Sequence, residues 1–327
     1  MRAEVRALPE VFLERLKHLV PSSRWDQIAN TFAAPPPTTF RINTLKTTPE
    51  AVREALEAQG LRVRQVPWSR EAYLLVSGRL RDLQETALYR QGAIYVQSLA
   101  SMLPALVLAP QPGETILDLT AAPGSKTTQM ACLMQGRGRI VANDNNRVRF
   151  FKLKANVESQ GVTNVELSLK PGETFGRTHP DTFDRVLLDA PCSAEGRFQA
   201  HEPASYRYWK PAKIREMARK QKRLLGSAIG ALRSGGVLVY STCTFAPEEN
   251  EAVVDWALRR FPGVCAIEEI QFDLPNRMAG LVRWDAETFD PGVHHGLRIL
   301  PTDEMEGFFI ARLRKLKSVT IPPFRSQ

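Results

Sequence analysis

The chain has 327 residues, 43% hydrophobic and 24% charged, which are the proportions of a globular protein with room for a large core and two domains. It contains no apolar run of roughly eighteen residues, and Met1-Arg2-Ala3-Glu4-Val5-Arg6 leads into an amphipathic segment, so no membrane span, no secretory leader and a cytoplasmic location are expected. The net charge of +9 favours a polyanionic partner, and the four cysteines (132, 192, 243 and 265) lack C-x-x-C spacing or a nearby histidine in ligand register, which disfavours zinc and a disulfide framework.

In chain order, Val11, Phe12, Leu16 and Val20 share a helical face, and Trp25, Ile28 and Phe32 mark a second short helix that Pro35-Pro36-Pro37 stops. A strand from Phe40 to Leu45, a helix from Pro49 to Gln59 closed by Gly60, and a strand from Leu61 to Val66 then make a small α/β unit. Trp68 to Gln91 reads as a connecting segment before a helix around Gln97 to Leu108. Thereafter strands at Thr115-Leu119, Arg139-Asp144, Asn164-Leu169, Asp184-Ala190 and Val237-Thr242 alternate with helices near Lys126-Met134, Arg147-Gln160, Ala212-Arg233 and Pro247-Arg260. Such alternation predicts a doubly wound, mostly parallel α/β sheet. Ile214, Met217, Leu224, Ala228 and Leu232 form one stripe of the long helix, and Pro247-Glu248-Glu249 reads as the start of the last one, with proline in the first turn. Residues 271–306, rich in Pro, Gly and Asp, read as a long insertion before a final strand, Gly307 to Leu313.

Three stretches carry chemistry. Asp189-Ala190-Pro191-Cys192 and Thr242-Cys243-Thr244 each follow an apolar strand, and ligands of open α/β sheets bind at the carboxyl ends of strands, so two thiols from different strands are placed to face one pocket and act on a pyrimidine ring. The alternative is that both are small buried hydrophobes. Second, the turn after the first strand of the sheet, Thr120-Ala121-Ala122-Pro123-Gly124-Ser125-Lys126, is built of small residues before a helix N-terminus, yet is neither a Walker A loop nor G-x-G-x-x-G. The following strand ends at Asp144, suited to ribose hydroxyls. A ribose without a pyrophosphate is what S-adenosylmethionine presents. Third, Arg207, Lys210, Lys213, Arg215, Arg219, Lys220, Lys222 and Arg223 crowd one stretch with Tyr206, Tyr208 and Trp209, a mixture suited to phosphate contacts and base stacking, although the part after Pro211 also reads as a solvated helix face.

Together with Tyr95-Val96-Gln97-Ser98, Glu248-Glu249-Asn250-Glu251 and Gly307-Phe308-Phe309-Ile310-Ala311, these blocks resemble the Sun/Fmu (RsmF-like, RsmB-like) family of RNA cytosine-C5 methyltransferases. Leu8-Pro9-Glu10-Val11-Phe12 and Arg41-Ile42-Asn43-Thr44-Leu45 extend the likeness to its rRNA-modifying branch. The resemblance implies a Rossmann-like methyltransferase domain over residues 111–317. It would be preceded by a helical and RRM-like, RNA-binding α/β unit at 1–75 and a connector at 76–110, and followed by a tail at 318–327. It further implies a monomer that uses S-adenosylmethionine and an RNA substrate and needs no metal. Cys243 would be the nucleophile and Cys192 would assist product release. Asp189 would contact the target cytosine, as an acid if its pocket holds it protonated. Residues 120–126 and Asp144 would hold the cofactor, with Arg149.

Carbon 5 of cytosine is a poor nucleophile until a thiolate adds to carbon 6, and that need is what a reactive cysteine answers. A single Pro-Cys nucleophile, as in DNA cytosine methyltransferases, would assign Cys192 instead, and amino-group methylation would call for N/D-P-P-Y/F where Asp-Ala-Pro-Cys stands. Thr120, Ser125 and Ala194 exchange small residues for the family's usual Cys, Gly and Gly. Pro171 replaces an acid expected to contact adenosine, leaving that contact to Glu173 or the backbone, or lowering cofactor affinity. This departure gives weight to a non-catalytic RNA-binding assembly factor as the alternative. Small-subunit rRNA is the first expected target and tRNA the second, because the stretch after Leu316 is short for the further RNA-binding domain of many rRNA-modifying relatives.

Overall fold

A computed structural model describes residues 2–322. Residue 1 and the expected tail beyond 322 lie outside the described residues. After helices Glu10–Leu19 and Trp25–Thr31, the chain forms a four-stranded antiparallel sheet. Its strands are β1 (Thr39–Ile42), β2 (Val63–Gln65), β3 (Ala72–Leu75) and β4 (Ile94–Val96), ordered β2-β3-β1-β4, and helix Pro49–Glu57 packs Val52 and Leu56 against it. Thr48 caps that helix through its side chain, with proline in the first turn. Each stretch expected to be a connector therefore holds one strand of this sheet: Ala72–Leu75 lies between Trp68 and Gln91, and Ile94–Val96, within 76–110, carries the small unit past residue 75.

The large sheet contains β5 (Thr115–Asp118), β6 (Arg139–Asn143), β7 (Val165–Ser168), β8 (Phe183–Asp189), β9 (Leu232–Thr242), β10 (Cys265–Glu268), β11 (Arg277–Ala279) and β14 (Leu297–Ile299), together with β15 (Phe308–Lys315). The short hairpin β12 (Arg283–Trp284) with β13 (Glu287–Thr288) stands apart. Strands β7, β6, β5, β8 and β9 run parallel in that order, and β15 follows antiparallel to β9. Alternation along each strand explains the two layers. Ile116, Ile140 and Leu187 face Met102, Met130 and Leu153 on one side. Leu117, Val141, Val186 and Leu188 face Leu224, Leu225, Val253 and Val254 on the other.

Two expectations for this half change. Residues 271–306 are not simply an insertion, since β11 and β14 extend the sheet beyond β15. The last long helix begins at Glu251, after a turn at Pro247, because each acid ahead of it is committed elsewhere. Glu248 binds Arg15 at 2.7 Å, while Glu249 accepts from the Ser193 N–H at 3.0 Å and Gln221 Nε2 at 2.8 Å.

Glu251 itself is fully buried and paired with Arg298, whose Nε and Nη2 donate at 2.6 and 2.5 Å while Nη1 donates to the Phe245 carbonyl at 2.9 Å. This fork ties the insertion strand to the loop that carries Cys243. Removing one member of such a pair strands a buried charge. Glu251→Ala is therefore expected to destabilise the fold by about 3–5 kcal/mol in denaturant unfolding. A loss below about 1 kcal/mol would show the pair to be dispensable.

Candidate active site

Strands β5, β6, β8 and β9 end at one cavity of about 750 Å³. Pairing Asp189 with Ser241 in register brings the loops beyond β8 and β9 side by side. Cys192 and Cys243 then meet with sulfurs 3.4 Å apart. The loops are also tied by Ser193 Oγ and Thr244 Oγ1 at 2.7 Å, and Asn250 pins the second one by accepting from Thr242 Oγ1 at 2.6 Å and donating to the Thr244 carbonyl at 3.0 Å.

The thiols are not equivalent. A hydrogen bond from Cys192, with the positive charge of Arg197 nearby, holds the Cys243 thiol below its usual range despite burial. Cys192 is pushed well above it by that same hydrogen bond and by burial. Of the two, Cys243 is therefore the thiol that ionises more readily and Cys192 the one that keeps its proton.

Between the thiols and the glycine-containing turn stands an ion pair. Lys126 Nζ lies 2.8 Å from Asp189 Oδ2 and donates to Ser101 Oγ at 2.7 Å, and Ser241 Oγ donates to Asp189 Oδ1 at 2.9 Å. Asp189 is therefore paired with Lys126 rather than isolated in an apolar pocket. Its ammonium partner keeps one N–H for a ligand.

The turn 119–124 is shaped from beneath. Asn143 Nδ2 donates to the carbonyls of Leu119 at 3.1 Å and Lys170 at 3.0 Å, which lashes three strand ends together. Gly124 adopts φ +104°, and a Cβ there would meet Leu153 Cδ1 at 2.9 Å. Gly124 serves packing and does not line the cavity, whereas Thr120, Ala121, Ala122, Pro123, Ser125 and Lys126 do. From below, Arg41 of β1 is only 2% exposed and donates to the Ser125 carbonyl at 3.2 Å and Thr128 Oγ1 at 2.5 Å, so the small sheet braces this turn.

Asp144, 3% exposed, lines the cavity with Arg149 at 3.4 Å, and Arg149 also donates to the Ala122 carbonyl at 2.5 Å. Burial raises the Asp118 carboxyl to about 7, against the hydrogen bond from Thr127. Two buried carboxyl groups flanking a small-residue turn are the acceptors that a ribose diol and an amino-acid ammonium require, so the residues fit S-adenosylmethionine. At the place of the expected adenosine acid, Gly172 lines the cavity and Glu173 does not.

The structure also recruits groups that sequence reasoning missed. Glu306, which accepts from Ser98 Oγ at 2.5 Å, and Arg197, 3.6 Å from it, both line the cavity. Ser98 and Glu306 adjoin quoted sequence blocks, but Arg197 gave no signal. Conversely, the aromatics of the basic stretch divide. Trp209 packs against Phe12 and Phe198 and donates to Glu195 at 3.0 Å, Tyr206 packs on Phe198, and only Tyr208 stands exposed for stacking. Lys220 reaches the cavity wall. Among the described residues no helix is long and apolar enough to cross a membrane.

Comparison with known proteins places this geometry in context. The family described as 16S rRNA methyltransferase RsmB/F matches residues 105–314, and the N-terminal domain of 16S rRNA methyltransferase RsmF matches residues 8–99. The chain is 38% identical over 324 residues to ribosomal RNA small subunit methyltransferase F of Pectobacterium carotovorum, covering 97% of this chain and 64% of that one. To the Escherichia coli protein of the same name it is 35% identical, covering 96% of this chain and 65% of the other. The chain thus spans about two-thirds of the length of these relatives. Among solved structures, a methyltransferase homolog protein from Pyrococcus horikoshii superimposes with a TM-score of 0.79 at 32% identity, covering 94% of this chain and 100% of that one. NSun6 from Pyrococcus horikoshii with SFG does so with a TM-score of 0.80 at 25% identity, covering 96% and 100%.

The unequal thiols set an expectation for alkylation. Iodoacetamide at neutral pH should modify Cys243 before Cys192, as read by peptide mass mapping, and Cys192→Ala should slow modification of Cys243 because its hydrogen-bond donor is gone. Faster labelling of Cys192 in the unaltered chain would reverse the order of the two thiols.

Proposed function

We propose that this chain, which belongs to the RsmB/F family of 16S rRNA methyltransferases, uses S-adenosylmethionine to methylate carbon 5 of a cytosine in small-subunit ribosomal RNA. The observation that carries this reading is the pair of thiols 3.4 Å apart in the cavity that the small-residue turn and Asp144 also line.

When bound, the cofactor supplies an electrophilic methyl group. Residues 120–123, Ser125, Lys126 and Asp144, with Arg149, hold it. Cys243 adds to carbon 6 of the cytosine and so makes carbon 5 nucleophilic. Asp189 accepts from the exocyclic amino group, and the remaining N–H of Lys126 supports the charge that develops on the ring. Methylated carbon 5 then gives its proton to water in the open cavity, the C5–H electron pair re-forms the C5–C6 double bond, and the Cys243 sulfur leaves carbon 6 with the C6–S pair. The Cys192 S–H, donated to that sulfur, makes it the better leaving group. The base has to be unstacked to reach both thiols, at a cost of a few kcal/mol, and the net charge of +9 favours the phosphates around it. In this division of labour, residues 111–317 perform the transfer and the N-terminal unit contributes RNA contacts as well as bracing the cofactor turn through Arg41.

Purified protein incubated with small-subunit rRNA and methyl-labelled cofactor should yield labelled 5-methylcytidine on nucleoside mass spectrometry. Label in N4-methylcytidine would contradict the two-thiol chemistry. No label in any RNA would favour a non-catalytic assembly role, and label in tRNA alone would move the substrate.

A further inference from the structure

Beside the catalytic cavity lies a second one of about 320 Å³, at the small end of the ~300–1,000 Å³ range of ligand sites. The two share a wall. Arg197 and Glu306 line both, and their side chains meet at 3.6 Å. Four segments remote in sequence build the smaller cavity: Arg2, the end of the second helix with Pro35 and Pro36, the residues just after the Cys192 loop, and Pro301 to Glu306. Its surfaces are of two kinds. Exposed Pro35 and Pro36 offer flat apolar faces beside the buried Phe32 and Phe198, and Asn30, Gln199 and Thr302 offer hydrogen-bonding groups at the edge.

We infer that this cavity seats the nucleotide adjacent to the methylated cytosine in single-stranded RNA, with the Arg197–Glu306 pair as the step between the two seats. The inference rests on the reading of the large cavity as an RNA methylation site. A planar base with apolar faces and a polar rim matches the lining, and stacking on flat side chains is how single-stranded bases are held without a duplex. Continuity favours the neighbour over a separate small molecule. An unstacked cytosine entering the first cavity drags its flanking nucleotides to the rim where Arg197 stands, and a guanidinium there can meet the connecting phosphate. Exposed Pro35 and Pro36 of the triple proline, which ends a short helix in the sequence reading, thereby gain a role as a wall of the binding surface.

The test uses short RNA substrates carrying an abasic residue on either side of the target cytosine. With the unaltered protein, an abasic residue on one side should raise KM about 5- to 150-fold, and on the other side much less. Ala34→Trp, placed on an exposed position of the cavity wall, should raise KM for intact RNA by a similar factor and add little for the abasic substrate. Equal KM for intact and abasic RNA, or effects of the tryptophan and the abasic residue that multiply, would overturn the seat while leaving methylation itself intact. Absence of any methyl transfer to intact RNA would instead remove the functional reading, and this seat with it.

Discussion

Everything at this site depends on the parallel pairing of β8 with β9 in one register, Leu188 opposite Tyr240 and Asp189 opposite Ser241. A shift by one residue would turn every side chain of one strand to the other layer. It would bury Asp189 in an apolar face and part the two thiols. The register is held by burial on both faces, with Val186 and Leu188 in one core and Leu187 in the other. It is also held from above, where Ser193 meets Thr244 and Glu195 accepts from Thr244 Oγ1 at 2.9 Å and the Phe245 N–H at 3.1 Å. The asymmetry of the thiols follows from this geometry, because a hydrogen bond between sulfurs 3.4 Å apart eases ionisation of Cys243 and opposes that of Cys192.

Polar groups in the layer beneath the cavity are buried and charged, which is costly unless each is matched. Lys126 is matched by Asp189 and Ser101, Arg41 by Gln97 and Thr128, and Arg298 by Glu251. Glu249 is an exception worth its cost. Burial raises its carboxyl to about 8, and its Oε1 has no partner while Oε2 supports the Ser193 N–H. With its neutral form favoured by burial, it braces the Cys192 loop while placing less negative charge beside Cys192.

The parts of the fold legible in the sequence were those whose burial is two-sided. Each of the five parallel strands was placed within a few residues, because apolar runs between turn signals leave little choice. Helix Arg147–Gln160 was placed at both ends, with Asn146 capping it and Gly161 closing it at φ +68°. Short antiparallel strands such as Ala72–Leu75 and Arg277–Ala279 carry too few residues to show a period, and their partners are distant in sequence. The thiols and the cofactor turn were legible because each sits next to a strand end. Arg197 and Glu306 were not, since only the tertiary fold brings their loops to the same wall. The destinations of Trp209 and Tyr206 were likewise set by Phe12 and Phe198, far away or not yet assigned in the sequence.

The division of labour between the two sulfurs is the centre of this account, and trapping of the covalent intermediate tests it most directly. Each cysteine variant is mixed with cofactor and substrate RNA and resolved by denaturing electrophoresis. Cys192→Ala, which keeps the nucleophile and lacks the group that aids its departure, is expected to accumulate a protein–RNA adduct, and Cys243→Ala none. An adduct with Cys243→Ala and none with Cys192→Ala would contradict the account.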